Sequence, residues 1–230
     1  MQYQNALEII KRAQQLIVVV TESWQDIEGR LWFFNKKNDH NWLAVKLGIP
    51  IVVGKKGLAW ADDSFQKIAE TDIKQEGDNK APAGVMQIGK SFGFGDRDLK
   101  DAEYVNIATG IECIDDSNSK YYNQIINTNK VEKDWQSSEK MSEILLYKYG
   151  VEILYNKNPA KPRKGSCIFM HEWRSQEVGT EGCTAMAQKD IKDITQLLDL
   201  NKNPVLIQLP KDIYDKLQEL WCLPNLFQGN

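Results

Sequence analysis

The chain is poor in the residues that most often carry chemistry. Among its 230 residues are two histidines, His40 and His171, and four cysteines, Cys113, Cys167, Cys183 and Cys222. None of the cysteine spacings is C-x2-C, so a ribbon- or finger-type zinc site has no signature here. Long apolar runs are missing as well: the longest, Leu16 to Val20, has strand length, against the roughly 18 to 20 residues of a membrane span. Positive charge is not in excess. Lys and Arg number 29 against 32 Asp and Glu, a net charge of minus 3, and the isoelectric point is about 5.6. A polyphosphate backbone therefore finds no basic field, and nucleic acid is set aside as a partner. There is no internal repeat and no low-complexity segment. No signal-peptide pattern opens the chain, which by itself leaves the compartment open. What is present, 42% hydrophobic and 27% charged residues, suffices for a sizeable core and one domain of catalytic size with short terminal additions.

Ala6, Ile9, Ile10 and Ala13 fall at helical spacing and predict a short amphipathic helix over residues 4 to 15. Four β-branched and aromatic runs follow: "LIVVV" (16 to 20), "RLWFF" (30 to 34), "WLAVK" (42 to 46) and "PIVVG" (50 to 54). Gly29, the segment "NKKNDHN" around His40, and Gly48 to Pro50 divide them, which predicts an antiparallel meander. His40 falls at a hairpin tip and receives no role. "QEGDNKAP" is turn chemistry ahead of a strand at "GVMQIG" (84 to 89), and residues 102 to 114 supply one or two more strands. Residues 115 to 135, polar and dotted with aromatics, predict a loop or lid.

"SSEKMSEILLYKYG" (137 to 150) has capping serines, apolar Met141, Ile144 and Leu145, and a closing Gly150, the pattern of a helix. Strands are expected at "VEILYN" (151 to 156), "GSCIFMH" (165 to 171) and "PVLIQLP" (204 to 210). Helices are expected over 187 to 200 and in the tail "KDIYDKLQELW", where Cys222 is expected to pack. The fold class is mostly β with a few helices (α+β).

"SCIFMHEWRSQEVGTEGCTAM" (166 to 186) concentrates the chemistry. Cys113, Cys167, His171 and Cys183 form a conceivable zinc set. If "SCIFMH" is a strand, however, Cys167 and His171 stand about 13 Å apart at roughly 3.3 Å per residue, too far to share one ion. A nucleophile fits better. Cys183 lies between the glycine-bearing turn "VGTEG" and a helix expected from about Ala187, where turn N–H groups can face a carbonyl oxygen and a nearby imidazole can hold the thiolate. His171 ends a strand twelve positions earlier. The alternative is a buried free cysteine packed as a small hydrophobe, which the polar flank "SQEVGTEG" disfavours.

His171, a polar loop and then "TEGC" resembles the signature of the L,D-transpeptidase catalytic domain of YkuD type, in which a His precedes a Ser/Thr-x-Gly-Cys turn. "EGDNKAPAGVMQIG" (76 to 89) is similar to that family's Lys/Glu-Gly-Asp-Gly-x-Thr-Pro-x-Gly-x-Phe-x-Ile segment. "CIDDSNSKYYN", "DWQSSEKM" and "GSCIFMHEW" resemble a branch with a long insertion before the His/Cys motif, and the likeness runs from about Gln15 to Leu209.

The resemblance implies a YkuD-like β-sandwich over residues 15 to 210, preceded by a helix over 1 to 14 and followed by a helical tail over 211 to 230. It implies peptidoglycan stem peptides as partners, no cofactor, no metal, and a periplasmic or cell-wall location with the export signal outside this sequence. Cys183 would attack the carbonyl between an L-centred residue and a D-residue of a stem tetrapeptide, release D-Ala and leave an acyl-enzyme, open also to carbapenem acylation. His171 would act as base and then acid, oriented by the backbone carbonyl of Glu172. The N–H groups of Gly182 and Cys183 would join in an oxyanion hole. Arg174, Thr180, Tyr122 and Trp173 are the expected substrate contacts. Read from the residues themselves, Tyr121, Tyr122 and Trp135 would supply apolar walls of a lid over the cleft, with core packing as the alternative.

Three positions depart from the family pattern. Glu172 stands for the usual Gly after the His, Ala185 for an Arg two residues after the Cys, and Ala81 for a Thr. The missing Arg leaves carboxylate recognition open to Arg174 or Arg163. If the protein is exported, Cys113 and Cys167 are candidates for a disulfide; the alternative is two reduced core thiols. Three functions remain at this point: an acyl transferase, an L,D-carboxypeptidase on the same site, and a wall-binding module that keeps the fold without the chemistry. The oligomeric state is not legible.

Overall fold

The computed structural model describes residues 2–38, 41–95 and 104–226, the side chains of 2–5 excepted; His40 lies outside the described residues. β1 (Gln15–Thr21), β2 (Glu28–Asn38) and β3 (Asn41–Val52) pair antiparallel in succession, with Val18 opposite Trp32 and Leu31 opposite Ile49. This is the expected meander with one correction: "WLAVK" and "PIVV" are a single strand. Gly48, at a φ of +61°, sits where the β2–β3 register shifts, so the Gly48 to Pro50 stretch bulges β3 instead of turning it back.

β1 runs parallel to β13 (Val205–Pro210), and every residue of both is buried. Strands covered on both faces read as continuous apolar runs, which is why "LIVVV" and "PVLIQLP" show so little alternation. β13 pairs antiparallel with β5 (Ala81–Gly93), and β5 with β10 (Tyr149–Ile153). β10 pairs antiparallel with β11 (Phe169–Glu172), β11 parallel with β12 (Thr184–Met186), and β12 antiparallel with β3. The expected sandwich is thus a closed circuit of eight strands. β4 (Leu58–Trp60) and β6 (Tyr104–Asn106) add to β5 in parallel. A second sheet has β7 (Ile111–Ile114) between β8 (Ile125–Asn127) and β9 (Ser138–Lys140).

Helix α1 (Gln2–Arg12) buries Ala6 and Ile10, α2 (Gln188–Leu197) buries Ile191 and Ile194, and α3 (Lys211–Leu217) buries Ile213, Tyr214 and Leu217. Each presents the apolar stripe that its sequence spacing predicts. Among the described residues no helix is long and apolar enough to cross a membrane. The main core is built on β1, β2, β5 and β13, while a smaller one gathers Phe92, Tyr147 and Phe169 around Cys113, Cys167 and Cys183.

Three local expectations are corrected and one is refined. Residues 115 to 135 are mostly turn and irregular backbone, as expected, with β8 and a 3-10 turn at Thr128–Lys130 set into them. Asn123, buried at a φ of +61°, pins the segment by donating to the carbonyls of Tyr155 and Asn156 and accepting from the Cys167 N–H. Polar residues that look like loop chemistry are internal hydrogen-bond partners. The helix expected over 137 to 150 is instead β9 followed by 3-10 turns at Met141–Glu143 and Leu145–Lys148. Ser138 is drawn into the sheet by donating to Glu112, Ile144 is extended, and Leu145 is exposed, so no continuous apolar face exists for a helix to bury. β11 begins only at Phe169. Cys167 before it has a φ of +53°, so the strand-based separation from His171 does not apply. Cys222 is exposed in the turn after α3 and does not pack in the core.

Candidate active site

β11 and β12 lie side by side, with Met170 opposite Thr184 and His171 opposite Ala185. Cys183 immediately precedes β12. Period-two alternation therefore turns Phe169, His171, Cys183 and Ala185 to one face. One strand across and two residues along puts the His171 and Cys183 backbones about 8 Å apart, a span a thiol and an imidazole can bridge from both ends. The sequence reading runs from the Cys183 turn straight into a helix and misses β12, whose three residues are too few to show a period.

The His171 Nδ1 lies 2.7 Å from the Glu172 carbonyl oxygen. A carbonyl only accepts, so Nδ1 carries the proton and Nε2 keeps the lone pair. The ring is buried with its centroid 5.2 Å from that of Tyr147, edge to face. Tyr147, Phe92 and Phe169 contact one another in the same manner. Gly150, opposite His171 across β10 and β11, makes this box possible, since a Cβ there would stand 2.2 Å from the Phe92 ring. Burial pushes the His171 pKa down to about 4, partly opposed by the hydrogen bond to Glu172.

Cys183 is 8% exposed. Its Sγ accepts the Phe169 N–H at 3.3 Å and donates to the Cys167 carbonyl at 3.5 Å. Burial, and after it the charge of Glu139, pushes the thiol up to about 12, while the Phe169 N–H and Lys74 act in the opposite direction. Both shifts favour the uncharged forms, a thiol and an imidazole.

The "TEGC" turn is braced from within. Thr180 Oγ1 donates to the Cys183 carbonyl at 2.6 Å and accepts the Gly182 N–H at 3.1 Å. Gly182 has a φ of +149°, which an L side chain rarely adopts. Its N–H is therefore engaged inside the turn, whereas that of Cys183 has no partner among the described residues. Thr180, expected against substrate, serves here as the brace.

Below this turn lies the "EGDN" segment. Lys74, 2% exposed, donates to Asp78 and to the Gln75 carbonyl, both at 2.6 Å, and Asp78 also accepts the backbone N–H groups of Gln75 and Lys80. The Lys74 Cε is 3.7 Å from the point where a Gly182 Cβ would stand. Sequence reasoning overlooks Lys74, since in a chain with 29 cations nothing local marks one as buried. Glu76 accepts from the Tyr122 hydroxyl at 2.5 Å and from Ser166 at 2.8 Å. Tyr122 is buried, and burial followed by the bond to Glu76 raises its pKa. Tyr122 and Trp135 therefore lie inside and do not form open cleft walls.

Glu172 turns its side chain to the opposite face from His171, where it accepts from Gln188 at 2.8 Å. Ala185 is fully buried with His171 and Val52 as its neighbours across the sheet. Arg174 and Arg163 are exposed and Trp173 is half-buried with its N–H bonded to the Met186 carbonyl. No contact ties either arginine to the dyad. Cys113 and Cys167 form a disulfide with Cα atoms 6.0 Å apart, which removes both as metal ligands and links β7 to the residue whose carbonyl meets the Cys183 thiol.

The strand circuit, with the His on β11 and the Cys turn before β12, is consistent with a YkuD-like fold. Residues 15–207 match the YkuD family model, described as the L,D-transpeptidase catalytic domain. The chain belongs to this family, whose members act on peptidoglycan peptides. No curated protein and no solved structure matches it.

Proposed function

We propose that the protein is a cysteine-dependent peptidoglycan L,D-transpeptidase that works through an acyl-enzyme on Cys183. The observation that carries this reading is the shared face of Cys183 and His171 on adjacent strands, with Nδ1 tied to the Glu172 carbonyl so that Nε2 is the basic nitrogen. Because both groups start neutral, the thiol proton moves to Nε2 as sulfur attacks the carbonyl carbon of the donor stem. The Cys183 N–H is the available donor for the oxyanion; the Gly182 N–H joins it if Thr180 releases it. Collapse breaks the C–N bond, His171 returns the proton to the departing D-Ala nitrogen, and a thioester remains. An amine of a second stem then attacks, the C–S bond breaks, and a proton passes through His171 to the sulfur.

The disulfide supports an oxidising compartment, and so a periplasmic or cell-wall location. Exposed Arg174 and half-buried Trp173, which follow His171 in the chain, are the proposed substrate contacts. Incubation with muropeptides and mass analysis of the products is the test. A cross-linked dimer supports transfer, a tripeptide plus D-Ala supports hydrolysis, and no change supports binding only. Cys183→Ala must abolish whichever product appears; a variant that retains it removes the assignment.

A further inference from the structure

Glu139 has no part in the acylation chemistry above, yet two short routes join it to the dyad. On β9 it stands opposite Cys113, which is bonded to Cys167, whose carbonyl accepts from the Cys183 thiol. Its Oε2 accepts the Tyr147 hydroxyl at 2.6 Å, and the Tyr147 ring stands edge-on to His171. The residue is half-buried. Among the described residues its Oε1 has no hydrogen bond and no cation forms an ion pair with it.

The charges that add most to the rise in the Glu139 pKa are those of Asp115, Glu181 and Glu76, all of its own sign. Burial, joined by these charges, raises its pKa to about 7, with the Tyr147 hydroxyl opposing the rise. A carboxylate withdrawn from water among like charges is unfavourable unless a cation completes it. Among the described residues no cation is paired with it, and the reaction proposed above brings one. The second stem arrives as a primary ammonium, and its destination is the Cys183 thioester.

We propose that Glu139 is the acceptor-amine subsite, holding the incoming ammonium beside the Cys183 thioester and taking the proton it must lose before its nitrogen attacks. This rests on the acyl-enzyme reading above. The ammonium gives one proton to the Glu139 carboxylate and becomes a neutral amine. Its lone pair forms the new C–N bond as the C–S bond breaks, and a second nitrogen proton passes through His171 Nε2 to the sulfur. Glu139 then releases its proton to water. Water as acceptor carries no positive charge and needs no such partner, so the carboxylate biases the thioester towards transfer.

The test compares the wild-type chain with Glu139→Gln and Glu139→Asp on a tetrapeptide muropeptide with a second muropeptide as acceptor. Loss of a charge-assisted hydrogen bond is expected to lower the ratio of dimer to tripeptide by roughly tenfold in Glu139→Gln and to raise the acceptor KM. Glu139→Asp should recover part of both. An unchanged ratio in Glu139→Gln overturns the proposal. If that variant fails to fold, the wild-type enzyme decides. Transfer to the amine must show a break near pH 7 that transfer to hydroxylamine, uncharged there, lacks; parallel profiles overturn the proposal. A wild-type protein that never forms a thioester on Cys183 refutes the earlier reading instead.

Discussion

Burial of His171 makes a prediction about acid stability that is independent of any substrate. The imidazole pKa falls from 6.5 to about 4 in the folded protein. A depressed pKa means that the unfolded chain takes up the proton first. The contribution is therefore fully present above pH 6.5 and is lost as the pH falls through 4. A difference of about 2.5 units at 1.36 kcal/mol per unit is worth about 3 kcal/mol, a large share of the roughly 5 to 15 kcal/mol by which a typical domain is stable. The assay is denaturant unfolding of wild type and His171→Gln between about pH 7.5 and 3.5. Glutamine has an amide N–H to offer the Glu172 carbonyl and cannot titrate in this range. Differencing the two proteins matters because Glu139 runs the other way. Its raised pKa contributes stability that is present below its ordinary value of 4.5 and lost as the pH rises through about 7. The wild type should lose about 3 kcal/mol relative to the variant between pH 6.5 and 4. A stability difference that stays constant over that window refutes the reasoning.

Three further outcomes follow from single contacts. Gly150→Ala places a Cβ 2.2 Å from the Phe92 ring; overpacking should lower stability by about 1–3 kcal/mol in denaturant melts and slow Cys183 acylation as the box around His171 shifts. Reduction of Cys113–Cys167, which spans 54 residues, should lower stability by about 4 kcal/mol on the chain-entropy estimate, read as a fall in the melting temperature with reductant. Thr180→Val removes the bonds to Gly182 and Cys183; it should lose about 1–2 kcal/mol and slow the acylation burst, whereas Thr180→Ser keeps both.

The elements legible in the sequence were those with a period or a run long enough to display one: the meander of β1 to β3, the doubly covered β13, and the stripes of α1, α2 and α3. The nearness of His171 and Cys183 on neighbouring strands was expected for a different reason, since a His followed by a "TEGC" turn resembles a family signature. The rest was hidden by distance along the chain. Ser138 reads as a helix cap until Glu112 appears beside it, 26 residues away in sequence. Asn123 and Tyr122 read as loop and cleft wall until Cys167, 44 residues on, and Glu76, 46 residues back, claim their polar atoms. Deleting 115 to 135, reasonable for a lid, would remove β8 and these anchors together.

The departures from the family pattern also become intelligible once register is known. Strand alternation sends the Glu172 side chain away from the dyad, so a residue larger than Gly is accommodated after His171, where only the backbone carbonyl is used. At Ala185 the reverse holds. Its side chain shares the dyad's face, fully buried beside His171 and Val52, and a guanidinium there would need both space and a counter-charge that the closed sheet does not offer. The cation that lowers the Cys183 pKa comes from Lys74, buried beneath the turn and fixed by Asp78. The positive charge near the thiol is thus carried by Lys74, two residues ahead of the "EGDN" segment and held by its Asp78, rather than by the strand after the nucleophile.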